Sequence, residues 1–455
     1  PSEDATTMVR SSLPTALLLG ALLAAPAGGQ ETSRILTLGQ ALEMAREGNP
    51  GLNVVRQKVE ETRQSSSIAF TNYLPQIRTQ ASYLANNNTQ GILLPAGSLG
   101  YFSELGGKFP RTDRTVPQGG TNVFFALTTI TQPLTHYFKI REGRGVLRAD
   151  EEVAGAGLRS AEQDVSLGVL RAYAGLLLAD LGRDAARERV AASEERMAYL
   201  ASAVEAGTAA DLAGREARIR WLQARQVLLE REGEVDDLTY VLADAVGLPA
   251  GTRVEVPPPP PSAVTDEPLD YYVETALRSS PGLLEARAMV NKATHGVGAA
   301  RAEYIPEIGI LGAHLYQNSV PFFPKNTMGI GISGSWTILD FGARRKTVRE
   351  RRAQLGQAES NLTMVEGRVR GEVEAAYRKL ARARDLVELA KDALALRTEG
   401  SRLRIVAVTA GYAVAAQERE AIADRLEAEM DMLKAEMGYR IAFAELGRAA
   451  GILGR

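Results

Sequence analysis

The sequence contains no cysteine in 455 residues. That absence excludes disulfides, thiolate metal sites and thiol nucleophiles, and removes the residue that an N-terminal lipid anchor would need. Histidine is scarce too: His136, His295 and His314 lie far apart, none with a second histidine at helical metal-ligand spacing. Neither charge sign dominates, since 53 Lys and Arg stand against 55 Asp and Glu for a net charge of −2. A chain so balanced has no bulk basic field to attract nucleic acid, and no nucleic-acid partner is expected. Long apolar runs are missing as well. The stretch from Leu13 to Leu23 is about half the roughly 20 residues of a spanning helix, and no other segment comes close to that length.

That short run reads instead as part of an address. Counted from Met8, Arg10 supplies a positive start, Leu13 to Leu23 an apolar middle and Ala25-Pro26-Ala27 a small-x-small cleavage pattern. Residues 1–7 then read as an over-extended start and 8–27 as a signal peptide, with export as the consequence. A protein exported without a spanning helix can reside in a membrane only through strands that close on themselves.

What is present is an internal repeat. Asn49-Pro50-Gly51-Leu52 recurs as Ser280-Pro281-Gly282-Leu283 and Tyr73-Leu74-Pro75-Gln76 as Tyr304-Ile305-Pro306-Glu307, both 231 residues on. Further along, Ala172-Tyr173 matches Ala376-Tyr377, Ala206-Gly207 matches Ala410-Gly411 and Gly247 matches Gly451, each 204 residues on. The 27-residue change in offset falls between Tyr83 and Asn122, so the first copy carries a longer loop there. Repeat 1 is expected over 28–256, a proline-rich linker over 257–268 and repeat 2 over 269–455. The five prolines from Pro257 to Pro261 exclude helix and central strand.

Periodicity within each copy passes from helix to strand and back. Met328, Ile330, Ile332, Trp336 and Ile338 alternate with Gly329, Gly331, Ser333, Ser335 and Thr337, a one-sided strand. Ile77, Ala81 and Tyr83 share that phase, and Val123, Phe125 and Leu127 follow it more weakly. Four strands are expected, over about 74–84, 121–134, 305–316 and 327–340. One helix is expected before the first strand, from Leu38 to Phe70. After each second strand comes a long helical hairpin, over 141–247 and 343–451, turning at Gly207 and Gly411. An arm of about 65 residues spans on the order of 100 Å. The two shorter helices of each copy equal that length if they stack end to end. Four strands cannot close a membrane barrel alone, so several chains must contribute. Three would give twelve strands, with the Met328 to Ile338 face toward lipid and the glycine and serine face toward the lumen.

The chain resembles the TolC family of outer-membrane efflux channels. The resemblance rests on Leu36-Thr37-Leu38-Gly39-Gln40-Ala41-Leu42, the Asn49-Pro50-Gly51-Leu52 turn, Leu74-Pro75-Gln76, Thr131-Gln132-Pro133-Leu134 and Asp340-Phe341-Gly342 with its basic sequel. It implies a mixed α and β membrane protein in which each repeat is a β-hairpin plus a long helical hairpin. It implies a homotrimer with a twelve-stranded barrel in outer-membrane lipid and a twelve-helix barrel in the periplasm. Its partners would be a periplasmic adaptor protein and an inner-membrane pump, as in tripartite multidrug efflux or type I secretion. Its cargo would be drugs, metals or polypeptides.

The same resemblance assigns Val204, Gly207, Thr208, Val408, Gly411 and Tyr412 to the periplasmic tip that contacts the adaptor. Family members commonly carry an aspartate six residues after the tip glycine; here Ala213 and Gln417 stand there, which does not support an aspartate gate. Glu216 and Glu420, nine residues after each glycine, would form acidic rings if they face the lumen, and a ring of that sign favours cations. Solvated glutamates on a helix are the commoner explanation. Gly329-Ile330-Gly331-Ile332-Ser333-Gly334 spells GxGxxG but lies within an alternating strand, where no dinucleotide site forms. No ordered nucleophile or carboxylate pair stands out, so no enzyme, metal or cofactor is expected. The rival reading is a periplasmic coiled-coil scaffold or adhesin without a pore.

Overall fold

The computed structural model describes residues 34–454 apart from 90, 118, 250, 261–266, 319–322 and 413–414. The expected signal peptide and the segment before it lie outside the described residues. In chain order the elements are β1 (Arg34–Ile35), α1 (Leu38–Gly48), α2 (Pro50–Thr71), β2 (Gln76–Ala85), β3 (Gly91–Leu94), β4 (Tyr101–Phe102), β5 (Gly107–Lys108), β6 (Arg114–Pro117) and β7 (Asn122–Pro133). Then come α3 (Tyr137–Glu205), α4 (Asp211–Ala245), β8 (Val254–Glu255), α5 (Leu269–Ser279), α6 (Pro281–Ala302), β9 (Glu307–Gln317), β10 (Asn326–Ser335), α7 (Ala343–Thr409) and α8 (Ala415–Ala449).

The helix expected from Leu38 to Phe70 is two helices, and Asn49 is the reason. Its backbone is extended, so it ends α1, and its Oδ1 accepts from Leu52 N at 3.1 Å to cap α2, with Pro50 in the first helical position. Ser280 and Pro281 divide α5 from α6 at the repeat-related place.

The short helices do stack end to end. Asn49 Nδ2 donates to Ala245 O at 3.1 Å, joining the start of α2 to the end of α4, and Ser279 Oγ donates to Ala450 O at 3.2 Å where α8 meets the start of α6. Helices α2 and α4 pack along α3, α6 packs between α3 and α7, and α8 packs on both long helices. Each long hairpin turns through a left-handed glycine, Gly207 at φ +71° and Gly411 at φ +81°. Thr208 N reaches back to Ala203 O at 2.8 Å and Tyr412 N to Ala407 O at 2.9 Å, which satisfies the last helical carbonyls.

The core sits partway down the long arms, where α1 and α5 strap across them. Leu36, Ala41 and Ala45 cover Val169, Tyr173 and Leu176 of α3 and Leu242 of α4. In the second copy Tyr272 and Ala276 cover Val369 and Val373 of α7 and Leu446 of α8. Tyr173 is 0 % exposed and its hydroxyl donates to Pro257 O at 2.5 Å, so the proline linker is tied to α3. This core corrects one expectation. Helix α3 does contain an 18-residue window of mean hydropathy 1.4, apolar enough by composition to cross a membrane, but 61 % of that window is buried inside the molecule. It is a core stripe covered by α1 and α8.

Strands β10, β9, β7 and β2 form one antiparallel sheet in that order. The long loop of the first copy folds into two small ribbons, β3 with β6 and β4 with β5. Alternation was too short there to announce them. Strands β1 and β8 add a two-residue parallel pair beside the strap.

Candidate functional site

Register sorts the sheet into two faces, because residues directly opposite in antiparallel strands point the same way. One face carries Ile77, Ala81 and Tyr83 of β2, Phe124, Ala126 and Ile130 of β7, Ile308, Ile310 and Tyr316 of β9 and Met328, Ile330 and Ile332 of β10. Across the four strands that face contains no Asp, Glu, Lys or Arg; Thr79, Thr128 and His314 form a polar band across its middle, and Asn122, Asn326 and Gln132 lie toward its two ends. The other face carries Arg78, Gln80, Ser82, Thr129, Thr131, Glu307, Gly329, Gly331, Ser333 and Ser335. Two expectations change here. Val123, Phe125 and Leu127 pair with Leu84, Ser82 and Gln80, which places them on the polar face and not with Ile77. Leu127 and Leu315 are directly opposite there, so the polar face holds an apolar spot.

The second change concerns the end of β10. Ser335 pairs with Glu307, the first residue of β9, so no strand partner remains for Trp336 and Ile338. Both are exposed in the turn that follows. Asp340 ends that turn: its carboxylate accepts from Gly342 N at 2.9 Å and Arg344 N at 3.1 Å and starts α7. Phe341 and Gly342 adopt left-handed backbone at φ +53° and +83°. The GxGxxG spelling lies within β10.

At the other pole, Val204 and Val408 are half-buried, Gly207, Thr208 and Gly411 are exposed, and Tyr412 is 89 % exposed. The two hairpins run side by side close to their tips, where Arg419 of α8 reaches Glu195 at 2.6 Å and Glu188 at 3.3 Å on α3. Glu420 lies 3.6 Å from Arg196, so its charge is matched across that contact, while Glu216 is exposed on α4. Ala213 is half-buried and Gln417 exposed.

The repeats are bound together along α3 and α8 by ion pairs that sequence alone could not place. Glu445 of α8 accepts from Arg171 of α3 at 2.6 Å and Lys379 of α7 at 2.5 Å. Burial pushes the Glu445 carboxyl up, but the two cations outweigh it and hold it below the usual carboxylate range. A depressed folded-state pKa gives stability that is complete above the unfolded value of about 4.3 and lost as pH falls through the folded value. Glu445→Gln is therefore expected to lower stability by about 1–2 kcal/mol at neutral pH. In denaturant titrations the difference from the native chain should shrink below about pH 4; a difference constant with pH would sink this account.

The molecule also has two unfinished edges. Among the described residues, strand β2 pairs only with β7 and β10 only with β9. Beneath β2 lie α2 and α4, and beneath β10 lies α7. Helix α4 exposes Leu212, Ile219, Leu222 and Leu229, and α7 exposes Leu386, Leu389, Leu396 and Leu403, with Leu396 at 77 %. Both sets follow heptad spacing, the pattern of a seam awaiting a partner helix. Sequence reasoning missed these seams, although their seven-residue steps are legible once the core-facing residues are set aside.

Comparison with known proteins agrees with this architecture. BepC, an outer membrane efflux protein of Brucella suis biovar 1, is 27% identical over 395 residues, covering 83% of this chain and 76% of that protein. Protein CyaE of Bordetella pertussis is 25% identical over 205 residues, covering 43% of this chain and 42% of that protein. Among solved structures, CusC superposes with a TM-score of 0.69 at 16% identity, covering 91% of this chain and 92% of that one. The Campylobacter jejuni CmeC outer membrane channel gives 0.71 at 15% identity, with 91% and 85% covered. The open-state MtrE channel of Neisseria gonorrhoeae gives 0.67 at 17% identity, with 91% and 89% covered. The profile of the outer membrane efflux protein family matches residues 41–248 and 272–452, and with both repeats inside that match the chain belongs to that family, TolC-like efflux proteins of the outer membrane.

Proposed function

We propose that the chain is one of three identical subunits of a passive exit duct, with its strands in the outer membrane and its helices in the periplasm. The observation that carries this reading is the pair of complementary open edges. Strand β2 with α2 and α4 forms one, β10 with α7 the other, and joining unlike edges generates a ring. Down-running β10 and up-running β2 then pair antiparallel, and the seams on α4 and α7 meet as knobs and holes. Three chains supply twelve strands, above the minimum of eight seen in single-chain bacterial barrels. The uncharged face, including Met328, Ile330 and Ile332, turns to lipid, and the face with Arg78, Glu307 and the glycines turns to the lumen. Trp336 and Ile338 sit at the membrane boundary below the strand.

The exposed tips around Gly207, Thr208, Gly411 and Tyr412 offer the surface for a periplasmic adaptor protein, through which an inner-membrane pump of the tripartite or type I class supplies the energy. Of the two repeat-related glutamates, Glu216 is the one free to bias the mouth toward cations, since Glu420 is matched by Arg196. A scaffold without a pore has no use for a sheet face free of charge on all four strands. The test is the native mass of the full chain extracted from outer membranes in mild detergent. A mass of three chains, with ion conductance in planar bilayers, is expected; a stable monomer overturns the reading.

A further inference from the structure

Apart from the strand wall and the tips, one cavity gathers unmatched positive charge. It has a volume of about 420 Å³ and lies where α1, α2 and α3 of the first repeat meet the α5–α6 junction and the residues after α8 of the second. Arg46, Arg56 and Arg159 line it. Arg56 donates to Asn53 Oδ1 at 3.0 Å and to the Arg46 carbonyl, and none of the three guanidinium groups pairs with a carboxylate among the described residues. Glu162 also lines the cavity and leaves the described lining residues with an excess of two positive charges.

Two further observations point inward. Gln163 is only 7 % exposed, lines the cavity, and its carboxamide makes no hydrogen bond among the described residues. Its stem is buried while the amide atoms open onto the cavity, where they are free to donate to a ligand. Helix α6, 22 residues long, opens onto the same cavity through Ser279 and Pro281, and its N-cap Ser280 makes no side-chain capping bond. Pro281 has no N–H and the Leu283 and Leu284 N–H groups bond Ser280 O, so the helix contributes its positive dipole end and the Gly282 N–H to the field. The repeat-related positions carry Leu277, Arg287, Thr363 and Gly367 in place of Arg46, Arg56, Arg159 and Gln163. Arg287 donates to Leu277 O at 2.9 Å as Arg56 does to Arg46 O, so that bond is a shared structural feature, whereas Arg46, Arg159 and Gln163 belong to this cavity alone.

We propose that this cavity is a binding site for a phosphate-class oxyanion, either inorganic phosphate or a phosphomonoester. Three guanidinium forks, an amide and a helix start present more donors than the two oxygens of a carboxylate accept, and they approach from different elements, as a tetrahedral anion requires. A membrane phospholipid is excluded by position. Arg159 lies 22 residues after Tyr137, about 33 Å along α3 from the sheet. A bound oxyanion ties α1, α2, α3 and α6 together at the point where the two repeats join.

The test is calorimetric titration of the full chain in mild detergent at low salt with inorganic phosphate, because guanidinium–phosphate attraction is screened at high ionic strength. Saturable binding of one phosphate per chain is expected, weakened about tenfold or more by Arg46→Gln with Arg159→Gln. Both arginines are exposed, so the fold does not depend on them. Gln163→Leu should weaken binding too, and Arg287→Gln should leave it unchanged. Competition by glycerol phosphate would show that pendant phosphates fit; its failure would leave inorganic phosphate as the ligand. The proposal is overturned by no saturable binding up to about 10 mM, by equal affinity in the double arginine variant, or by binding of citrate but not phosphate. None of these outcomes bears on the channel, whose test is the native mass.

Discussion

Alanine at Tyr173 is expected to cost about 3–5 kcal/mol of folding stability, among the largest effects of any single substitution in this chain. Tyr173 has no exposed surface, packs beneath the α1 strap with Val169 and Leu176, and donates its hydroxyl to Pro257 O. Removing the ring opens a cavity at the one place where α1, α3, α4 and the linker meet. Tyr173→Phe isolates the hydroxyl, and the loss should be about 1–3 kcal/mol, because the Pro257 carbonyl is left without its donor. Denaturant midpoints with unchanged slopes would measure both. The repeat mate Tyr377 is half-buried, so Tyr377→Ala should cost less than Tyr173→Ala. Equal losses at the two positions would show that the strap core is not what holds this region.

Arginine at Ile330 should all but abolish insertion into the outer membrane. Ile330 is 86 % exposed in the single chain and lies midway along β10 on the uncharged face, opposite Gly312 of β9. An arginine at the middle of a lipid-facing strand costs about 2–4 kcal/mol per chain, and three copies would each bear it. Gly331→Arg provides the contrast, because its neighbour across the pair is Leu311 on the other face and a Cβ there meets open space. That variant should assemble and change conductance. Heat-dependent gel migration of the outer-membrane fraction reads both. Normal assembly of Ile330→Arg together with failure of Gly331→Arg would reverse the two faces.

Much of this fold was legible because the repeat states it twice. Pro50 and Pro281 recur at constant offset and both start a helix, and Gly207 and Gly411 both form a left-handed turn. The misreadings have local causes. Asn49 looked like a turn inside a helix, but its side chain can cap one helix while its carboxamide closes the end of another, and sequence does not show the second partner. Phase alone predicts the apolar face for Phe125 and Leu127, and only pairing with Ser82 and Gln80 fixes which face a weakly alternating strand shows. Alternation predicts a strand through Trp336 to Ile338, but it continues past Ser335, where the hydrogen-bonding partner ends. At the tips, Glu420 was legible as an acid but not as half of an ion pair, since Arg196 is distant in sequence.

The open edges have a consequence for biogenesis. Each chain is at once hook and eye, and nothing in a single copy says how many links to add; only the angle between its two edges decides whether the string closes or grows into a fibre. A substitution that flattens the sheet or straightens a long arm would therefore not yield orphan subunits. It would yield rings of the wrong number, or open polymers, while every copy remained correctly folded.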